Sequence, residues 1–83
     1  MKDERGLYYY PFPNNRQVRM YIREAGGSVE FRMWNQKDPD MWKKHGWVPY
    51  EAIRKAVEMY QGAFDADKAY DLDIAKTLIA DNR

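Results

Sequence analysis

Apolar and polar residues alternate most clearly in two neighbouring segments of the chain. Apolar side chains occupy every second position from Gln17 to Glu24, and the alternation returns from Ser28 to Asn35. A period of two is typical of β-strands whose two faces have different surroundings. Gly26-Gly27 lies between the segments and can adopt the positive φ angles of a two-residue turn. The pattern therefore predicts a β-hairpin with its turn at Gly26-Gly27.

The turn also predicts the register of the hairpin. With Gly26 and Gly27 as the loop, Ala25 faces Ser28, and residues of like character share a face. One face is apolar: Val18, Met20, Ile22, Val29, Phe31 and Met33. The other, here named the Arg/aromatic face, carries Arg19, Tyr21, Arg23, Glu30, Arg32 and Trp34. Cross-strand partners on this face are expected to form an ion pair, Arg23 with Glu30, and two cation–π pairs, Tyr21 with Arg32 and Arg19 with Trp34.

An aromatic segment precedes the hairpin. The residues from Leu7 to Phe12 are typical of a strand, but Pro11 and Pro13 lack the N–H that a central strand donates. We expect this strand to end early or to lie at the sheet edge, followed by a turn at Asn14-Asn15. Together with the hairpin it predicts a three-stranded antiparallel meander.

Helical signals begin after the hairpin. Asp38-Pro39 predicts an N-cap and first turn of a short helix that ends near Gly46, followed by a brief extended piece at Trp47-Val48. Pro49 then opens a second helix that ends near Gly62. The apolar stripe of this second helix is predicted to contain Ile53, Ala56, Val57 and Tyr60.

The last segment has helical spacing. We expect it to begin with Asp65 as N-cap, and Asp71 either interrupts it or acts as a second cap. Its apolar positions are Tyr70, Ile74, Ala75, Leu78 and Ile79. The fold class predicted for residues 1–83 is a single small α+β domain. In it, the short helix and two C-terminal helices pack on one face of the three-stranded antiparallel meander.

Length and composition restrict the possible sites. A chain of 83 residues buries a thin core, although its 16% aromatic content supplies large core side chains. The absence of Cys excludes disulfides and thiolate zinc sites, and a single His excludes a multi-histidine metal site. We therefore expect neither a metal nor a cofactor.

Charge is nearly balanced but unevenly distributed. Residues 1–55 contain 11 Lys and Arg against 7 Asp and Glu, whereas residues 56–83 contain 3 against 6. A tail that folds back on the front of its own chain explains this asymmetry, and a basic binding face is the alternative. The charged start at Met1–Arg5 is unlike a signal segment and no apolar run is long enough to span a membrane, so we expect no membrane partner. The absence of Cys fits a cytoplasmic protein.

The Arg/aromatic face is the first candidate site. Guanidinium groups can contact phosphates while rings stack on unpaired bases, which is how single-stranded nucleic acid binds to sheets. The candidate residues are Arg19, Tyr21, Arg23, Arg32 and Trp34, with Tyr8 or Tyr10 from the first strand. Two alternatives compete: arginine stems that cover the rings of an ordinary solvated face, or burial of the rings against another protomer.

The loop from Asn35 to Trp47 is the second candidate site, with Trp42, His45 and Trp47 as candidate binding residues. The alternative is that the two tryptophans form a lid over the small core and that His45 interacts with a helix end. A catalytic histidine would need a nucleophile or a positioned acid, and the sequence indicates neither.

These observations predict a non-catalytic binding or accessory domain. Its aromatic residues exceed what two short helices can cover, and exposed aromatic surface is typical of interaction sites. The expected partner is a protein, either another chain or a second copy in a homodimer. Single-stranded nucleic acid bound to the Arg/aromatic face is the alternative.

Overall fold

The structure is a computed structural model that describes residues 1–59 and 69–82. Within these residues the chain forms five strands and three helices. The strands are β1 (Lys2–Asp3), β2 (Gly6–Tyr9), β3 (Val18–Ala25), β4 (Ser28–Asn35) and β5 (Val48–Pro49). The helices are α1 (Asp40–Lys44), α2 (Tyr50–Met59) and α3 (Leu72–Asp81). None of these helices has the length and apolar character needed to cross a bilayer.

The five strands form one antiparallel sheet in the order β1-β2-β3-β4-β5. The α+β class is confirmed, but the predicted meander of three strands is too small. The two additional strands, β1 and β5, lie at the sheet edges and have two residues each. A two-residue strand is too short to show an alternating pattern, and its backbone is ordered by the neighbouring strand rather than by its own sequence.

The central hairpin has the predicted turn and register. Gly26 and Gly27 have φ angles of 58° and 81°, and Ala25 pairs with Ser28. The pairing continues without interruption to Val18 and Asn35. Because side chains alternate along a strand, this register separates the apolar face from the Arg/aromatic face as expected.

Strand β2 extends both faces. It ends at Tyr9, before Pro11, as the prolines predicted. Tyr8 pairs with Tyr21 and therefore lies on the Arg/aromatic face, whereas Tyr9 pairs with Met20 on the apolar face. Asp3 of β1 pairs with Gly6, which places it on the Arg/aromatic face too.

The core lies between the apolar face and helices α2 and α3. Its buried residues are Tyr9, Met20, Ile22, Phe31, Ile53 and Ala75, with Leu7, Val29, Met33, Tyr50, Tyr70, Leu72, Leu78 and Ile79 packed around them. The Tyr9 hydroxyl donates a hydrogen bond to the carbonyl of Ala69 (2.6 Å) and accepts one from the amide of Asp71 (2.9 Å). Burial raises the pKa of Tyr9 to about 12, although the bond from Asp71 opposes this shift.

The observed helix boundaries refine the predictions. Asp71 is the N-cap of α3, and its side chain accepts a hydrogen bond from the amide of Ile74 at 3.1 Å. Helix α1 begins at Asp40 with Pro39 as N-cap and no side-chain capping bond, so the capping role predicted for Asp38 is wrong. Tyr60, Gly62 and Asp65 lie outside the described residues, as does the side chain of Val57.

The prediction that α1 packs on the same face of the sheet as α2 and α3 is wrong. It lies beside β4, and its Trp42 ring packs against Tyr21 on the Arg/aromatic face, with 5.1 Å between ring centroids. The chain leaves the end of β4 and must return to place β5 beside Glu30 and Phe31. This short connection holds α1 along β4, where Trp42 reaches the Arg/aromatic face.

Candidate functional site

Tyr21 is the centre of the Arg/aromatic face and is completely buried, with 0% of its surface exposed. Its ring packs against Tyr8 from β2 (5.4 Å between centroids) and against Trp42 from α1. The sequence alone places Tyr21 on a solvent-facing surface, whereas here its ring is covered from two sides. A ligand on this face would therefore contact the groups around Tyr21 rather than its ring.

Asp3 anchors the face electrostatically. Its Oδ2 accepts hydrogen bonds from the Tyr21 hydroxyl (2.5 Å) and from Arg19 Nη1 (3.0 Å), and its Oδ1 accepts one from the amide of Arg5 (2.8 Å). Desolvation alone would raise the pKa of Asp3. The bonds from Tyr21 and Arg5 and the charges of Arg19 and Arg5 outweigh it, so this pKa lies below its usual value.

The same contact has the opposite effect on Tyr21. Burial, followed by the hydrogen bond to the Asp3 carboxylate, raises the pKa of Tyr21, and Arg19 only partly offsets these effects. At neutral pH the carboxylate is thus charged and the phenol protonated. This hydrogen bond joins β1 to β3, the strands on either side of β2.

Arginine side chains lie over the aromatic rings of the face. Arg32 lies 3.9 Å above the Trp42 ring and Arg23 lies 4.5 Å above Trp47. Trp34 has two such neighbours, Arg19 at 5.1 Å and Arg5 at 5.2 Å. These are cation–π contacts, so each ring is held in place by a guanidinium that is itself held by the sheet.

Two of the three predicted cross-strand pairs are confirmed on this face. Arg23 Nε donates to Glu30 Oε1 at 2.6 Å, and Arg19 lies over Trp34. Tyr21 and Arg32 are opposite each other, but Arg32 stacks on Trp42 and donates to the Trp42 carbonyl. Arg32 stacks on Trp42 rather than on Tyr21 because an indole ring is a better cation–π partner than a phenol.

The structure brings the tryptophans of the second candidate site onto the first. The Trp42 and Trp47 rings meet edge to face, 6.0 Å between centroids, above the sheet. His45 is separate from them. It is exposed, it follows the last residue of α1, and its backbone amide donates to the Met41 carbonyl.

Sequence reasoning missed Asp3 and Arg5. Both belong to the charged start of the chain, and no pattern there distinguishes a residue of the face from a solvated one. Their placement depends on β1, a strand that the sequence does not predict. The missing signal is therefore the pairing of β1 with β2, which only the folded chain supplies.

The face has a net positive charge. Its four arginines are Arg5, Arg19, Arg23 and Arg32, and three carboxylates pair with them: Asp3, Glu4 and Glu30. Among the described residues, the buried Nε atoms of Arg19 and Arg32 have no hydrogen-bond partner, and stacking and the terminal nitrogens hold these two groups. Within residues 1–59 and 69–82, no three or more His, Cys, Asp or Glu side chains are grouped to hold a metal ion.

Comparison with other proteins identifies no relative. The sequence matches no protein-family model, and neither a curated protein nor a solved structure is significantly similar to it.

Proposed function

We propose that this protein is a non-catalytic binding domain that acts through protein–protein contacts on the Arg/aromatic face. The observation that carries the proposal is the layer of partly exposed tryptophans and arginines: Trp34, Trp42, Trp47, Arg5, Arg23 and Arg32. Trp, Tyr and Arg are the residues that most often dominate the binding energy of protein interfaces. Their stacking fixes the side chains before a partner arrives, which reduces the entropy lost on binding.

The charge of the face favours an acidic partner. A homodimer is the other version of this proposal. A two-fold interface through the same face would set its four arginines against the same four in the second copy. Like charges opposed across an interface cost free energy. Charge therefore favours a different protein with an acidic surface.

Single-stranded nucleic acid is the second candidate, and the net positive charge of the face is the observation that favours it. Stacking argues against it, because arginines already lie over Trp34, Trp42 and Trp47. A base could stack on these rings only from the other side or after displacing a guanidinium. The arginines alone would supply phosphate contacts with a steep salt dependence.

Two charge-matched double variants test the proposal. Arg19→Gln/Arg32→Gln removes two cations from the face, and Lys55→Gln/Lys76→Gln removes two exposed cations from α2 and α3. We expect a host protein to be captured by the wild type and by the lysine variant but lost from the arginine variant. Thermal melts monitored by circular dichroism establish that both variants fold. If the arginine variant is unfolded, Trp34→Gln takes its place.

Two further outcomes would contradict the proposal. Equal capture by both variants would remove the Arg/aromatic face from the function. A fluorescence-anisotropy signal with an oligonucleotide, lost in the arginine variant and at high salt, would favour the nucleic-acid function instead. Light scattering at high protein concentration separates the homodimer from a monomer that binds another chain.

A further inference from the structure

A cleft lies at the end of the sheet where β2 begins. Its volume is about 580 Å³, within the range of roughly 300–1,000 Å³ that is typical of small-molecule sites. Gly6 forms part of its wall and has a φ angle of 127°, a conformation that residues with a side chain rarely adopt. At Gly6 the wall of the cleft therefore consists of backbone without a side chain.

The lining of the cleft has two chemically different parts. Leu7, Ile22 and Ile79 reach it from the core side of the sheet and supply an apolar surface. Trp42 and Trp47 reach it from the Arg/aromatic face together with cationic side chains. This lining suits a ligand with an apolar body and a negatively charged group.

Cations outnumber carboxylates among the described residues of the cleft. Lys2, Arg5 and Arg23 line it, and Glu24 is the one carboxylate in that set. Arg23 donates its Nε–H to Glu30 Oε1, and its side chain is 48% exposed. Stacking on Trp47 holds this guanidinium in place, so the terminal nitrogens present a planar donor pair suited to a carboxylate.

We infer that this cleft binds an organic carboxylate with an apolar or aromatic body. The apolar body contacts the Trp42 and Trp47 rings and the aliphatic side chains, and the carboxylate contacts Arg5 and Arg23. The inference goes beyond the proposed function, because the ligand need not be a protein. Two sources share this chemistry: a free small organic acid and the C-terminal carboxylate of a peptide.

Two pairs of probes test the inference and separate the sources. The first pair is 4-phenylbutyrate and its uncharged amide. The second pair is N-acetyl-Ala-Ala-Phe with a free or an amidated C-terminus. NMR titration follows the indole N–H of Trp47 and the amide of Gly6, both of which belong to the cleft. We expect the charged member of a pair to shift both signals in a saturable way and to bind about tenfold more tightly than the amide.

A charge-matched pair of variants locates the bound carboxylate. Arg5→Gln/Arg23→Gln should weaken binding about tenfold or more, since each lost charge-assisted hydrogen bond has an effect of this order. Arg16→Gln/Lys55→Gln removes the same charge away from the cleft and should leave the affinity unchanged. The HSQC spectra of the two variants show whether each one remains folded.

The outcomes have separate meanings. Binding of 4-phenylbutyrate alone assigns the site to free organic acids, and binding of the peptide acid assigns it to peptide C-termini. Equal binding of acid and amide, equal loss in both double variants, or no saturable shift with either acid at millimolar concentration would overturn the inference. None of these results depends on protein capture by the Arg/aromatic face, so the two proposals can fail separately.

Discussion

The two faces of the sheet are covered in different ways. On the apolar face, α2 and α3 bury Met20, Ile22 and Phe31 by hydrophobic contact. On the Arg/aromatic face, Trp42 and Trp47 come from a short connection, and the arginines stack on them. The first face contributes stability through removal of apolar area from water, and the second contributes a specific arrangement of partly exposed groups.

Within the described residues, each face has one buried tyrosine, and the two hydroxyls have different hydrogen-bond partners. The Tyr9 hydroxyl, on the apolar face, bonds to backbone groups of Ala69 and Asp71. The Tyr21 hydroxyl, on the opposite face, bonds to the ionised side chain of Asp3. Tyr9 therefore links the start of α3 to the sheet by hydrogen bonds, and Tyr21 links β1 to β3 through the charged Asp3. This difference makes the comparison testable, because only the second depends on the charge of a carboxylate.

The largest expected effect is on the apolar face. Phe31 is 1% exposed, and Phe31→Ala should lower the free energy of unfolding by about 3–5 kcal/mol because it leaves a cavity in a thin core. Urea denaturation followed by circular dichroism measures the change. If the variant does not fold, Phe31→Leu should show a smaller loss in the same direction. Wild-type stability in both variants would contradict the assignment of the core. Phe12→Ala is the control, since Phe12 is 41% exposed and lies outside the strands.

An intermediate effect is expected from the two tyrosines. Tyr9→Phe and Tyr21→Phe should each cost about 1–3 kcal/mol, because each leaves buried or charged partners without a hydrogen bond. Their pH dependence should differ. The folded pKa of Asp3 is depressed, so its contribution is present above the unfolded value of about 4 and is lost as pH falls through the folded value. Tyr21→Phe should weaken this acid-dependent loss, and Tyr9→Phe should retain it.

At alkaline pH, Tyr9 contributes a pH-dependent loss of stability of its own. Its folded pKa of about 12 is raised above the unfolded value of about 10. Its contribution is therefore complete below pH ~10 and is lost as pH rises toward the folded pKa. Tyr9→Phe should weaken this loss, and the raised pKa of Tyr21 should leave part of it in place. Urea denaturation of both variants and the wild type across the acid and alkaline ranges measures these differences. Identical acid profiles for wild type and Tyr21→Phe would contradict the role of Asp3.

The smallest effect is expected at the edge of the Arg/aromatic face. Arg23 pairs with Glu30, but its side chain is 48% exposed, and exposed ion pairs contribute roughly 0–1 kcal/mol. Glu30→Gln should change the free energy of unfolding by less than about 1 kcal/mol, with a smaller change at high salt. A loss as large as that of Tyr21→Phe would show that this face stabilises the fold rather than presenting a surface. Glu58→Gln on an exposed position of α2 is the control.

Much of the fold was predictable because it depends on neighbours in the sequence. The hairpin needed only the period of two and the Gly26-Gly27 turn, and its register then followed for both faces. The start of α3 was also accessible, since Asp71 was one of two possible caps. Strand β1 was not, because two residues carry no periodic signal and are ordered by the strand beside them. Strand β5 was expected only as a brief extended piece at Trp47-Val48, without its place in the sheet.

The candidate site was only half predictable. The sequence identified Arg19, Arg23, Arg32 and Trp34 as one face, and Trp42 and Trp47 as a separate loop. Nothing in the order of residues indicated that the loop tryptophans would lie on that face, or that Asp3 and Arg5 would join it. Contacts between segments so far apart in the chain depend on the fold as a whole.

By itself the sequence determined the α+β class, the central hairpin and the sorting of its side chains, because turn chemistry and alternation act over a few residues. Only the tertiary structure decided what covers each face. The path from β4 to β5 placed Trp42 over Tyr21, and the pairing of β1 placed Asp3 beside Arg19. Whether a side chain is buried, paired or open to a ligand depends on these long-range contacts, which no local pattern encodes.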